Sequence, residues 1–404
     1  MSENSCWLVS IKGYEKSPSE WIIKARIVFR GDAVHDEANQ AAVFDELAAS
    51  APMSLGGLNM TIAFGLVEGN TCSTSDCIKA YVQSFLDSSC PTYVLLPAEL
   101  VPAHAKHIRQ PVALLIRSLY GHPLASASWQ NHLAAILSKE LGGVEMPEQP
   151  SRFHFPSMSL ALSVYVDDLT LSGPEKNHNK FWTTLQKHVQ LEEPAELSKV
   201  LGRNHVMYDQ GLALHSADFA KQCVELYEQL SGKKVKHFRT PHCDGGTLVE
   251  TDDQCVGQLS ASSAKLVMKL MWLGRISRPD IMVAINTLAR NITRWSLSDD
   301  KRGARLVGHI AATVDYAHVM RIKDPPAKLW LSLYVDSDFG SSPDMKSTSG
   351  FIMALEGPDS FAIILWGSKT QRAVSRSTTE AEFVALSTAL FRETISLLAL
   401  FVSV

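Results

Sequence analysis

A chain of 404 residues is too long for one hydrophobic core, so two or three domains are expected. Its 46% hydrophobic and 20% charged residues are those of a folded globular protein and exclude a disordered or low-complexity chain. A formal net charge of −4 counts against a uniformly basic nucleic-acid binder, yet leaves room for a basic groove beside clustered carboxylates.

The seven cysteines are odd in number and form no C-x-x-C pair, so neither a disulfide framework nor a zinc knuckle is expected. Residues 1–21 lack the apolar stretch of a secretory signal. No apolar run reaches the ~18 residues of a membrane span. The expectation is an intracellular, non-secreted protein with no membrane partner, in the cytoplasm or alternatively the nucleus.

In chain order, residues 21–31 read as a strand with interleaved polar residues and 36–50 as a helix. Residues 61–69 are an apolar segment of either kind. Residues 112–139 read as a turn leading into a helix. A β-hairpin follows, 159–165 and 169–173, each arm alternating. Helices are expected over 181–191, 263–276, 280–295 (entered through Pro279) and 301–319, with a basic linker over 232–241. From 329 the period changes to three strands and then a long helix, so a new domain is expected near 326.

Chemistry concentrates at the hairpin tip, Tyr165-Val166-Asp167-Asp168. An Asp-Asp turn alone is more often a solvated turn. Flanked by apolar strands, and with further carboxylates available, it is the arrangement that a two-metal nucleotidyl transfer needs. The candidate third carboxylate is Asp76. Tyr81, five positions on, could stack under an incoming sugar, although a core tyrosine is the simpler reading.

These residues stand in a recognisable order. Lys24 to Gly31, Asp76 to Val82, Ser118 to Gly121 with Trp129, Tyr165 to Leu169, and Ser277 to Asp280 each resemble a segment of copia-type long-terminal-repeat retrotransposon Pol polyproteins. The resemblance implies an α+β fold: a right-hand polymerase followed by an incomplete RNase H-like α/β domain. It assigns fingers and palm to 1–205, thumb or connection to 206–325, and the RNase H-like part to 326–404. It implies an RNA-directed DNA polymerase (reverse transcriptase) that uses Mg²⁺, with Mn²⁺ as a substitute, and takes an RNA template, a DNA primer and deoxynucleoside triphosphates. Asp76, Asp167 and Asp168 would hold the metal. Lys24, Arg26, Arg30 and Tyr81 would bind nucleotide. Tyr165, Val166, Tyr120, Gly121 and Trp129 would line the primer and template. One departure is Leu124-Ala125-Ser126, where the family carries Gln-Ala-Pro.

Two further segments resemble the family's RNase H: Tyr334 to Asp338 and Ser377 to Glu382. Ser377 and Glu380 have capping-box spacing, which leaves Glu382, with Asp336, as the metal-ligand candidate. The family's following strand and helix are not found before Val404, so hybrid cleavage is not expected. The alternative to an enzyme is a decayed or co-opted element that binds nucleic acid or a protein partner. Oligomeric state is left open.

Overall fold

The computed structural model describes residues 5–12, 18–35, 40, 53–86, 91–146, 149–208, 211–243, 248, 250–340, 344–395 and 397–398. The helix expected over 36–50 lies, but for Gln40, outside the described residues.

The chain begins with strands β1 (Ser5–Lys12) and β2 (Ile22–Phe29), helix α1 (Leu55–Gly65), β3 (Asn70–Asp76) and the one-turn α2 (Ala80–Gln83). It continues with β4 (Tyr93–Leu95), β5 (Val112–Leu114), α3 (Ala125–Leu141), β6 (Val144–Met146), β7 (Gln149–Phe155), β8 (Leu160–Tyr165), β9 (Asp168–Pro174) and α4 (Glu175–Leu185). Then come β10 (Ala195–Glu196), β11 (Lys199–Val200), β12 (Arg203–Tyr208), β13 (Gly211–His215), α5 (Ala217–Ser231), α6 (Ser263–Ile276), α7 (Met282–Ala289) and α8 (Leu297–Ala312). Last are β14 (His318–Arg321), β15 (Trp330–Asp338), β16 (Thr348–Glu356), β17 (Phe361–Thr370) and α9 (Thr378–Thr388).

Two compact units result: Met1–Met53 with Thr74–Leu171 and Lys176–Pro194, and Ser54–Ser73 with Ser172–Glu175 and Ala195–Val404. The segments 206–325 and 326–404, expected as separate domains, fall in one unit.

In the first unit, β3, β9, β8, β7 and β6 lie side by side in that order. The hairpin arms alternate as expected, but β8 is buried on both faces because it is central. One face carries Leu160, Leu162 and Val164, which join Leu133, Leu137 and Phe181 in the core. The other carries Ala161 and Ser163, small enough to be buried where space is short. Helix α3 buries Ala125, Trp129, Leu133, Leu137 and Leu141, spaced to make one stripe. It stops at Gly142, whose φ of 68° closes the helix with bonds back to Leu137 and Ser138.

The second unit has a helical core from α5 to α8, built on Leu226, Leu270, Ile285 and Leu306. Its sheet has seven strands in the order β11-β12-β13-β14-β17-β16-β15. The three strands expected to open a new domain therefore extend an existing sheet, joined to β14 at Arg321 opposite Phe361. β15 is its edge strand.

Two expected helices are shorter. α7 ends at Ala289, because the Asn291 amide donates to Asp299 (2.8 Å) and the chain then turns into the Ser296–Asp299 capping box of α8. α8 ends at Ala312: Arg278 draws the Thr313 carbonyl (2.9 Å) and hydroxyl (2.8 Å), and residues 318–321 join the sheet as β14. The last helix does not seat all its large apolar side chains. Phe383 in α9 and Phe391 in the turn beyond it are exposed, whereas Ala381 and Ala385 are buried.

Candidate active site

The hairpin between β8 and β9 is joined by Val166 and Asp167. Val166 has φ +59°, a left-handed conformation in which a β-branched side chain is strained by roughly 1–3 kcal/mol. The buried Trp129 of α3 donates its indole N–H to the Val166 carbonyl at 2.8 Å and pins the turn. The Cys77 N–H donates to the Asp167 carbonyl, also at 2.8 Å, tying the end of β3 to the same turn.

These two ties bring the sequence-predicted carboxylates together. Asp76 ends β3 and Asp168 begins β9, its neighbour in the sheet. Asp168 is half-buried; burial first, then the charges of Asp76 and Asp167, push its carboxyl up to about 7, and in its protonated form it bonds Asp76. All three aspartates also push up the buried Cys77 thiol, after burial itself. Asp167 is exposed at the tip. Among the described residues, no group of three or more His, Cys, Asp or Glu side chains has the spacing to hold a metal ion. As donors, three hard oxygen ligands with unbalanced negative charge suit a divalent cation of the Mg²⁺ kind.

Tyrosines flank the aspartates. Tyr81 lies in the one-turn helix α2. Its ring meets that of Tyr120 at 4.8 Å, and its hydroxyl is 3.2 Å from Ser126 Oγ. The Arg26 guanidinium carbon lies 5.3 Å from the Tyr120 ring centre. The Tyr120 hydroxyl is shifted up by burial and by Asp167, which puts Arg26, Tyr120, Tyr81 and the aspartates within one electrostatic neighbourhood.

The other predicted residues are placed differently. Arg30 pairs with Asp32 at 3.1 Å. Lys24 is half-buried on β2, two positions from Arg26 and on the same strand face. Tyr165 is the half-buried last residue of β8. Gly121, with φ +87°, lies against β2, and the Tyr120 carbonyl accepts from Phe29 N–H at 2.7 Å. Leu124, where the family pattern has Gln, caps α3 without a side-chain hydrogen bond. Sequence reading named the segments that hold Ser126 and Cys77 but not these two contacts, because each reaches a residue distant in the chain.

In the second unit, Glu382 accepts from the Ser337 N–H at 3.3 Å and so lies beside Asp336. Asp338 accepts from Thr348 N–H. Ser377 caps α9 by accepting from the Glu380 N–H, but the Glu380 carboxylate accepts from the Arg376 N–H and not from that of Ser377, so the expected capping box is only half formed.

The profile of the family described as reverse transcriptase (RNA-dependent DNA polymerase) matches residues 5–238. The chain belongs to this reverse transcriptase family. Its copia-type relatives include a Ty1 Gag-Pol polyprotein of Saccharomyces cerevisiae, 26% identical over 386 residues, covering 91% of this chain and 21% of the polyprotein. Another, from transposon TNT 1-94 of Nicotiana tabacum, is 23% identical over 373 residues, covering 90% of this chain and 26% of its own. The chain thus spans about a fifth to a quarter of these curated relatives. A foamy viral protease-reverse transcriptase in complex with double-stranded DNA aligns with TM-score 0.48 and 14% identity, over 93% of this chain and 54% of that one. Reverse transcriptases generally use divalent metal ions.

The pinning of the turn has a measurable consequence. Trp129→Phe keeps an aromatic ring but loses the N–H and part of the indole's buried volume, leaving the Val166 carbonyl unpaired. Stability should fall by about 1–2 kcal/mol, read as a lower urea midpoint with unchanged m-value. A midpoint equal to that of the parent chain would show that the indole does not hold the turn.

Proposed function

We propose that this reverse transcriptase chain is an RNA-directed DNA polymerase that adds deoxynucleotides to a DNA primer on an RNA template. The observation that carries the reading is the meeting of Asp76 and Asp168 beside Asp167 on a pinned, strained turn, with Tyr81, Tyr120 and Arg26 alongside. When bound, two Mg²⁺ ions at Asp76, Asp167 and Asp168 would acidify a primer 3′-hydroxyl and offset triphosphate charge. The chain's own residues do the rest. Trp129 and Cys77 fix where the carboxylates stand. Arg26, braced on Tyr120, offers a cation to the triphosphate. Tyr81, held by Ser126 and Tyr120, offers a face to the sugar. Asp336 and Glu382 are read as the vestige of an RNase H-type site.

The test is primer extension by the purified chain on an RNA template with a DNA primer, deoxynucleoside triphosphates and Mg²⁺. Template-directed extension abolished by EDTA is the expected result. No extension by folded chain under any divalent cation would leave the non-catalytic, nucleic-acid-binding reading in its place.

Tyr81 allows a finer test. Tyr81→Ala removes the ring that a 2′-hydroxyl would meet, so ribonucleotide incorporation should rise at least about tenfold relative to deoxyribonucleotide. Unchanged discrimination would make Tyr81 a packing partner of Tyr120 and nothing more.

A further inference from the structure

The second unit holds an open cleft of about 580 Å³, remote in sequence from the aspartates and lined by β12, β14, β17 and the segment around Ser277–Asp280. Its volume is ordinary for a small-molecule site.

The register of the sheet explains its chemistry. Tyr208 pairs with Gly211, Gly211 with Arg321, and Arg321 with Phe361, so one row crosses four strands on one face. With strands about 4.8 Å apart, the row spans about 14 Å. Gly211 leaves a gap that the Tyr208 ring leans over: a Cβ there would come within 2.6 Å of the ring. Phe361 is 48% and Tyr208 38% exposed, while Tyr316, across the cleft and 57% exposed, carries the Arg278 guanidinium 5.2 Å from its ring centre. Between them Arg321 is exposed, with no ion-pair or hydrogen-bond partner among the described residues.

The facing wall is electrostatically settled. Arg278 grips both Asp280 oxygens at 2.9 and 2.8 Å, and His309 Nε2 is 3.4 Å from the second. Burial pushes the Asp280 carboxyl up, but Arg278 and His309 hold it below its usual range, so it stays ionised and occupied. Among the described residues that line the cleft, no carboxylate is left without a cation to repel an anion at Arg321. Ser277, 2% exposed, lines the cleft, and its hydroxyl has no partner among the described residues. A buried hydroxyl left without a bond is costly.

Exposed rings, a lone guanidinium and an unsatisfied hydroxyl are what a base, a phosphate and a base edge require. We infer that this cleft binds a nucleotide moiety, its base against the aromatic row, its phosphate at Arg321 and a base edge within reach of Ser277. The moiety comes either from a free nucleotide or from an unpaired nucleotide of a strand. The inference stands apart from the polymerase reading, since none of these residues belongs to the aspartate site.

The experiment is titration of the full chain, in EDTA, with deoxyadenosine 5′-monophosphate and separately with an eight-residue oligodeoxyadenylate, followed calorimetrically. Saturable binding weakened about tenfold by Phe361→Ala and by Arg321→Ala is expected. Binding of the mononucleotide assigns a free-nucleotide site; binding of the oligomer alone assigns an unpaired strand. Arg321 is exposed, so Arg321→Ala reports even if Phe361→Ala fails to fold. No binding of either probe, or binding that Arg321→Ala leaves unchanged, overturns the inference.

Discussion

Asp168→Asn is expected to reduce primer extension by roughly 10²–10³-fold or more, the scale on which one charged group at a reacting centre acts. Asparagine keeps the size of the side chain and removes its charge. In this chain that charge is crowded by Asp76 and Asp167. Above about pH 7, where the Asp168 carboxyl is ionised, losing one of three like charges relieves repulsion in the absence of metal. The melting temperature in EDTA should therefore hold or rise while kcat collapses, with primer-template affinity near that of the parent. This pairing separates chemistry from folding. A variant with both activity and melting temperature lowered would mean that Asp168 supports the hairpin instead; full activity would remove it from the site.

Gly121→Ala should be the most damaging small substitution in the first unit. A Cβ at Gly121 would lie 2.1 Å from the Phe29 carbonyl oxygen and 2.8 Å from Val28 Cγ1. The φ of +87° adds a backbone penalty. Overpacking and the left-handed conformation together cost roughly 2–5 kcal/mol. Gly69, with φ +81° and nothing within 4 Å of its Cβ position, is the control that carries the backbone penalty alone. Chemical unfolding of both alanine variants checks the claim. Equal losses would mean that β2 yields to the methyl group. Because Tyr120 adjoins Gly121 and braces Arg26, extension by Gly121→Ala should also fall.

The hairpin and its aspartates were legible because a period of two, a turn and two apolar arms are local signals. Residues 24–31 and 118–121 were legible as motifs but not as partners. Their meeting rests on Gly31 and Gly121, whose missing side chains let two backbones approach. Trp129 was read as a primer or template contact, and the structure gives it a buried bond to the turn. The seven-stranded sheet could not be read: β11 and β14 have two and four residues, too few to show alternation. Helix α1 was ambiguous for another reason. It is buried nearly all round, Asn59 included, whose amide donates to the Ile364 carbonyl at 2.8 Å, so no polar face marks its period.

Val166 sets stability and activity against each other. Glycine or asparagine would occupy its left-handed conformation at lower free energy than valine. A screen for heat tolerance alone would therefore favour replacing it, and would hand the aspartate turn a freer backbone in exchange. Selection for a sturdier protein and selection for a faster one pull this position in opposite directions.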